Sequence, residues 1–361
     1  SAAKDPMVYL VSHTWADRFE KGRRRATIEA YSNCDSVLLY NDMSNEKVTY
    51  LGRKKNNGTG THFMWENRDI RYNVLRAVGY YKGKAVAEDI LVLNGLEQAP
   101  HFGILYQDTK PLLKGEDGYN YLYRINCGGD DFTDSFGQLW MQDNTNYSRS
   151  WAASFNELNP YLASQRTTND PIRGSRDWKL FQYFRFGRHQ LEYNFPVADG
   201  MYRIEFYFTE PWHGTGGSAS ADCEGLRIFD VAVNDSVVLD DLDIWAESGH
   251  DGACKKVVYA IVKGGLLKIH FPEVKAGQAL ISGIAIASAN SDSKPTLFPA
   301  SDWNWEKASK EVMEKTPKEL LPKDKNARVS IAYEAEAAVL KGKFQKKEHR
   351  KQMGVFFGKG K

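Results

Sequence analysis

Acidic side chains cluster at three places along the sequence, and paired carboxylates are what a glycoside hydrolase would need. Such acids act across a cleft at roughly 5 to 10 Å from one another, and nothing in the spacing here guarantees that separation. Asp230 follows an apolar segment and Asp243 precedes Ile244-Trp245, so both favour carboxylates that accept backbone hydrogen bonds at strand ends. The acids are Asp130, Asp131 and Asp134, then Glu210, and then Asp230, Asp240, Asp241 and Asp243.

The other residue types that carry chemistry give no stronger signal. The eight histidines have no HExxH or HxH spacing, and the sequence has no GxSxG or phosphate-binding glycine loop. The four cysteines lie far apart without a CxxC pair, so neither a zinc site nor a dithiol redox motif is indicated. Four buried thiols and a Cys223–Cys254 disulfide are both open. We predict no self-contained catalytic centre and no catalytic residue in this chain.

Aromatic residues with polar neighbours favour a binding site instead. Sugars present polarised C–H faces to aromatic rings and hydroxyl groups to carboxylates, amides and guanidinium groups. A single aromatic ring is typical of a core, but rings recur at predicted loop positions in the second half of the chain. The predicted carbohydrate-binding residues are Trp140, Trp151, Phe186, Glu210, Trp212 and His213, with Asp143 and Asn144 near them in the sequence.

Short strands separated by turns must position these loops. Arg25–Ser32 alternates, and Tyr72–Tyr81 meets Lys84–Leu93 across Lys82-Gly83 in a predicted hairpin. In Tyr202–Glu210 the apolar residues fall on one face, which predicts an amphipathic strand. The pattern predicts an all-β protein: an immunoglobulin-like β-sandwich followed by a second, jelly-roll type β-sandwich.

The segment YRINCGGDDFTDSFGQLWMQD, residues 123–143, combines a glycine pair, acids and aromatics. We predict that the chain leaves a strand and turns sharply at Gly128-Gly129. The polar loop that follows is expected to form one wall of the binding site or to support it.

Length and charge limit the partners. At 361 residues the chain exceeds the size at which one core keeps growing, so several domains are expected. A net charge of +2, with no long basic face before the C-terminal tail, argues against nucleic acid. No apolar run approaches ~20 residues, which argues against membrane insertion. We predict domains at 1–100 and 121–290, linkers at 101–120 and 291–328, the latter with a short helix, and an incomplete β module at 329–361.

Four segments make residues 121–290 resemble a malectin-like domain: RINCGG, YNFPVADGMYRIEFYFTEPW, GLRIFDVAVNDSVVLDDLDIWAESG and GGLLKIHFPEVKAGQALISGIAIA. The resemblance implies a β-sandwich that binds carbohydrate through loop aromatics and one aspartate. By position the aromatics fall on Trp151, Phe186 and Trp212, with His213 where a further aromatic would stand. The aspartate's place aligns near Gly277, a departure that counts against a glucose-disaccharide specificity but leaves the expectation of a carbohydrate site.

The first hundred residues resemble a different family. DPMVYLVSHTWADR, IEAYSNCDSVLLYND and LRAVGYYKGKAVAEDILVLNGLEQAP are similar to the β-sandwich that follows the catalytic barrel in β-galactosidase-like glycoside hydrolases of family 2 from Bacteroidetes. The resemblance implies an accessory region of a secreted or periplasmic polysaccharide-degrading enzyme. Its partners would be a glycan and the upstream catalytic domain, whose glutamates have no counterpart here.

Two alternatives stay open at this point. The sandwiches could brace the parent enzyme or an oligomer without any affinity for glycan. No cofactor is predicted, but structural calcium at Asp130-Asp131 or Asp240-Asp241 is not excluded, although adjacent acids alone do not supply the about six to eight converging oxygens that calcium needs.

Overall fold

The computed structural model describes residues 6–11, 13–19, 25–58, 62–143, 164–187, 191–214 and 222–296, together with two strands at 345–349 and 352–356. Strands dominate these ranges, which confirms the predicted all-β class. In the described part of the chain, no helix has the length and apolarity that crossing a membrane requires.

The first sandwich pairs a three-stranded sheet with a four-stranded one. The sheet orders are β1-β2-β5 and β4-β3-β6-β7, with antiparallel neighbours throughout. Trp65 and Leu39, from opposite sheets, both lie in the core between them. The predicted hairpin is confirmed: Lys82 and Gly83 have φ of 50° and 78°, as a tight two-residue turn requires. The strands are β1 (Val8–Leu10), β2 (Arg25–Ser32), β3 (Ser36–Tyr40), β4 (Tyr50–Lys55), β5 (His62–Asp69), β6 (Val74–Tyr81) and β7 (Lys84–Val92).

The second sandwich has a six-stranded sheet in the order β17-β14-β21-β8-β10-β9. Facing it are a sheet with the path β13-β18-β15-β16, in which β19 also pairs with β15, and a short sheet β11-β12-β20. The elements are β8 (Asn120–Asn126), β9 (Phe132–Thr133), β10 (Leu139–Gln142), β11 (Ser164–Thr167), α1 (Trp178–Gln182), β12 (Tyr183–Gly187), β13 (Glu192–Pro196), β14 (Gly200–Phe208), β15 (Ile228–Val233), β16 (Ser236–Leu242), α2 (Ile244–Ser248), β17 (Cys254–Val262), β18 (Leu266–His270), β19 (Val274–Ala276), β20 (Ala279–Ile281) and β21 (Gly283–Ser288).

Strand β14 is the centre of the second core, and it is buried on both faces. Its inner face packs as predicted, with Phe206 in the core between the sheets. The opposite face carries Glu205, which the sequence pattern places in solvent, but this side chain is almost fully buried. The hydroxyl of Tyr121 donates to Glu205 at 2.8 Å, and Nζ of Lys255 lies 3.0 Å from it. The amphipathic interpretation is therefore wrong for the outer face, because neighbouring side chains cover it and satisfy its charge.

The segment 123–143 folds back onto the six-stranded sheet. Gly128 makes the predicted turn, with φ of 82°. Asp134 then accepts hydrogen bonds from the backbone nitrogens of Phe136 and Gln138 and from Nε1 of Trp140, each at 2.9 Å. The acid thus closes the loop rather than facing a ligand.

Three further predictions concern the cysteines, the C-terminal β module and the short helix before it. All four cysteines are buried free thiols, so the alternative of a Cys223–Cys254 disulfide is not realised. The C-terminal strands β22 (Gln345–His349) and β23 (Gln352–Phe356) form an antiparallel hairpin. The predicted short helix within 291–328 falls mostly in 297–344, outside the described residues.

Candidate functional site

A pocket of about 330 Å³ opens where the short sheet β11-β12-β20 lies beside the end of β14. This volume is at the lower end of the roughly 300 to 1,000 Å³ found for small-ligand sites. Phe184 and Leu280 are buried and supply an apolar interior, whereas Trp212 is 55% exposed and stands at the surface. The lining residues are Arg166, Phe184, Phe186, Trp212, His213, Arg227, Gly277, Gln278 and Leu280.

A buried carboxylate fixes the turn that presents Trp212. After β14 ends at Phe208, Glu210 is fully buried. Its Oε1 accepts hydrogen bonds from the backbone nitrogens of Trp212 at 2.9 Å and His213 at 3.0 Å. Because these bonds hold the backbone, the side chains of Trp212 and His213 are free to line the pocket.

The same carboxylate anchors Arg227, which precedes β15. Nε of Arg227 donates to Oε2 of Glu210 at 2.5 Å, and Nη2 donates to Oε1 at 3.3 Å. The guanidinium also donates through Nη1 to the carbonyl oxygen of Gln278 at 2.6 Å. A paired and hydrogen-bonded buried charge is stable, whereas an unpaired one is costly. This ion pair therefore ties together three chain segments around the pocket.

Gly277 gives the turn before β20 its shape. Its φ of 62° is left-handed, and a Cβ at this position would lie 2.8 Å from the carbonyl oxygen of Leu226 and 3.5 Å from Cα of Arg227. Any side chain here would be strained and would press on backbone. The aspartate that the malectin-like resemblance expects near this position therefore has no room on this backbone.

The segment 123–143 does not line the pocket but supports β12, one of the strands that do. Asp143 lies 2.5 Å from both Nε and Nη2 of Arg185, which sits on β12 between the two pocket phenylalanines. Asp143 also accepts hydrogen bonds from the hydroxyl of Tyr193 at 2.9 Å and from the nitrogen of Gly128 at 3.0 Å. Burial keeps the pKa of Tyr193 well above its usual value, so this hydroxyl remains a donor.

The structure brings together three of the predicted site residues: Phe186, Trp212 and His213 all line the pocket. Glu210 is not exposed and contacts the pocket only through the backbone and Arg227, so its assignment as a direct sugar contact is corrected. Trp140 is also corrected: it is fully buried, its indole nitrogen bonded to Asp134. Trp151 lies outside the described residues.

Sequence reasoning missed several lining residues. Phe184 lies two positions before Phe186 on β12, so the two side chains share one face, and strand alternation could have indicated it. Arg166, Arg227 and Leu280 carry no comparable signal, because their place at the pocket follows from strand pairing between distant segments.

The described residues contain two groups of side chains whose ligand atoms lie within 4.8 Å of one another: Asp230, Asp240 and Asp241, and separately Asp170, His250 and Asp251. In the first group, Asp230 accepts from the backbone nitrogen of Asp241 at 2.9 Å, and Lys275 pairs with Asp241. Two of its three acids, Asp240 and Asp241, are exposed, and Lys275 neutralises one of them.

Comparison with known proteins gives a domain match. Residues 121–290 match the Malectin domain, which implies carbohydrate binding by the second sandwich. The chain is 26% identical over 150 residues to Malectin of Danio rerio, covering 41% of this chain and 47% of that protein. It is also 26% identical over 149 residues to Malectin of Mus musculus, covering 41% and 45%. The chain thus spans about half the length of the curated relatives it matches.

Among solved structures, the chain is similar to Bacteroides uniformis β-glucuronidase. The TM-score is 0.38 and the identity 22%, with 78% of this chain and 30% of that chain covered.

Proposed function

We propose that this chain is a non-catalytic carbohydrate-binding region in which the second sandwich holds a glycan at the pocket around Trp212. The observation that carries the proposal is the half-exposed indole of Trp212 at a pocket that also contains Phe184 and Phe186. A sugar ring stacks its C–H face on such an indole while its hydroxyl groups meet polar side chains.

The polar groups of the pocket suit sugar hydroxyls. The guanidinium groups of Arg166 and Arg227 donate hydrogen bonds, and Gln278 and His213 offer both donors and acceptors. The described lining residues include no carboxylate. The nearby carboxylate of Glu210 pairs with Arg227 and accepts hydrogen bonds from backbone nitrogens. The pocket therefore offers a donor-rich surface to the acceptor oxygens of a glycan.

The wider role follows from the resemblance of the first hundred residues. On this proposal residues 1–100 are an immunoglobulin-like spacer and 121–290 the glycan-binding domain of a secreted or periplasmic, β-galactosidase-like glycoside hydrolase. Contacts across the junction support a fixed arrangement: Trp178 of the second sandwich lies 5.8 Å from Phe102 and 5.2 Å from Tyr106, between ring centroids. Tethering to a catalytic domain would raise the effective concentration of a weakly held glycan.

Affinity electrophoresis of the full chain through galactans, glucans and pectic polysaccharides tests the proposal. We expect at least one glycan to retard the protein, and the retardation to be weaker for Phe186→Ala. The matched control is Trp15→Ala, since Trp15 is 60% exposed but lies in the first sandwich. Absence of retardation by every glycan, or equal retardation of the Phe186 variant and wild type, would refute the assigned site.

A second candidate function, bracing of an oligomer or of the parent enzyme, has its own observation. Met201 on β14 pairs with Ile261 on β17, and Tyr259 and Val257 follow on the same face of this edge strand. All four are exposed, between 38% and 68%. If this apolar strip is an interface, Ile261→Asp will shift the sedimentation of the chain or its parent towards smaller species; an unchanged profile excludes this role for the strip.

A further inference from the structure

The junction between the two sandwiches holds a second cluster of ionisable side chains, separate from the sugar pocket. His13 of the first sandwich contacts Asp89 through Nε2 at 2.9 Å and Asp170 of the second sandwich through Nδ1. Around Asp170 lie His250 and Asp251, and one ligand atom from each of these three residues lies within 4.8 Å of the other two. An imidazole and two carboxylates thus converge on one small volume.

Two buried atoms of this cluster lack a hydrogen-bond partner among the described residues. Asp251 is 6% exposed; its Oδ2 lies 3.0 Å from Nε2 of His250, but its Oδ1 is unpartnered. The buried Nδ1 of His250 is unpartnered too. Leaving a buried polar atom without a partner is unfavourable, so these two atoms call for an explanation such as a bound ion.

The nearby cations do not supply the missing partner. The guanidinium of Arg173 donates through Nη2 to the carbonyl oxygens of Ser248, at 3.1 Å, and His250, at 2.7 Å. His13 already bridges Asp89 and Asp170.

We propose that Asp170, His250 and Asp251 bind one divalent transition-metal ion of the zinc class. Imidazole nitrogen with carboxylate oxygen is a donor set that suits Zn²⁺, whereas Ca²⁺ prefers oxygen ligands alone.

The position of the site indicates a structural role. Asp170 is hydrogen-bonded to the first sandwich through His13, and Asp251 belongs to the loop between α2 and β17 of the second sandwich. An ion held by these residues would fasten that loop to Asp170 and thereby stiffen the junction. Asp170, His250 and Asp251 do not line the sugar pocket, although the backbone nitrogen of Asp251 donates to the carbonyl oxygen of Glu210 at 2.9 Å. Zinc binding and glycan binding are therefore measured separately.

Isothermal titration calorimetry of the full chain, freed of metal by chelation, tests this site with ZnCl₂, MnCl₂ and CaCl₂. We expect one Zn²⁺ per chain and a higher melting temperature with zinc. We expect His250→Gln and Asp170→Asn each to weaken zinc binding by more than about 100-fold, since even outer-shell substitutions cost 10- to 100-fold. The matched control is Asp240→Asn in the other acidic group, which should bind like wild type.

Several results would overturn the proposal. These are no zinc binding by wild type, tighter binding of Ca²⁺ than of Zn²⁺, binding unchanged in the His250 variant, or binding lost in the Asp240 variant. The absorption spectrum of the Co²⁺-loaded protein separates this site from the buried thiols: a thiolate charge-transfer band would assign the ion to cysteine instead. Because wild type alone can give two of these results, the test does not depend on the variants folding.

Discussion

Replacing Trp212 with alanine removes the most exposed ring of the pocket while leaving its frame intact. The backbone nitrogen of Trp212 keeps its 2.9 Å bond to Glu210, because that bond does not involve the side chain. The indole is 55% exposed, so the variant gives up few buried contacts. We therefore expect the free energy of unfolding to change by less than about 1 kcal/mol and the change to appear in glycan affinity.

The size of the affinity loss follows from the exposed area. A Trp side chain offers up to about 250 Å², of which the exposed 55% leaves roughly 140 Å² for a ligand. If a sugar ring covers about half of it, roughly 70 Å² leaves water, worth ~1.8 kcal/mol at ~25 cal/mol per Å². At about 1.4 kcal/mol per factor of ten, Trp212→Ala should raise the Kd about 20-fold.

Titration calorimetry with the best-retained oligosaccharide measures this directly. Trp212→Phe is the matched variant, since a smaller ring should recover part of the affinity, and Trp15→Ala should bind like wild type. A change below about 3-fold in Trp212→Ala, with folding intact by circular dichroism, would mean that no sugar stacks on this indole.

Three further predictions concern the frame and the first sandwich. Glu210→Gln should lower the free energy of unfolding by about 3 to 5 kcal/mol, because it leaves a buried guanidinium unpaired, and should also weaken glycan binding. Gly277→Asp should cost more than about 1 kcal/mol, because of the positive φ and the backbone oxygen 2.8 Å from its Cβ, and should not improve affinity. The 2.6 Å bond between Asp42 and His101 should make the first sandwich lose stability above neutral pH, and His101→Asn should remove that loss.

The sign of the pH effect comes from both partners. The hydrogen bond that His101 donates to Asp42 raises the pKa of His101, so its stabilisation is complete below the unfolded value of about 6.5 and is lost as the pH rises through the folded value. Burial alone would raise the pKa of Asp42, but hydrogen bonds led by that from His101 lower it, so its contribution disappears in acid. The difference between wild type and His101→Asn in urea unfolding should be largest between about pH 4 and 6.5. An equal difference at about pH 9 would contradict the argument.

Urea unfolding also checks the other two substitutions. Gly103→Ala is the control for Gly277→Asp, since a Cβ added at Gly103 would have no neighbour within 4 Å and Gly103 has no positive φ. If Gly277→Asp is as stable as wild type, the turn before β20 adapts and the strain argument fails. If Glu210→Gln binds glycan as wild type does, the turn after β14 does not need the carboxylate.

Local patterns predicted the strands well because each depends on neighbours in sequence. Arg25–Ser32 is a strand over the predicted range, and the Lys82-Gly83 turn follows from a glycine, which adopts positive φ without a Cβ clash. Burial of the outer face of β14 was not predictable in this way. Glu205 looks like a solvent residue until Tyr121 and Lys255, distant in sequence, are seen to cover it.

The site shows the same division between local and distant information. Trp212 and His213 follow a strand end, so position in sequence identifies them as loop residues, and Phe186 alternates along β12. Trp140 also follows the acidic loop, yet its side chain lies in the core. Its indole nitrogen donates a hydrogen bond to Asp134, which holds the ring in the interior. The neighbouring sequence does not distinguish a loop aromatic that packs against the sheet, such as Trp140, from one that faces water, such as Trp212.

Glu210 links these observations, because one carboxylate sets the geometry of the pocket without touching it. It holds the turn of Trp212, and through Arg227 it holds the carbonyl of Gln278 beside Gly277. A buried ion pair of this kind tolerates little change, since removing either partner strands a charge. The rings attached to the frame face no such constraint, because an exposed side chain can be exchanged at small cost in stability. Ligand preference can therefore vary at Trp212 and His213 while the frame around Glu210 stays fixed.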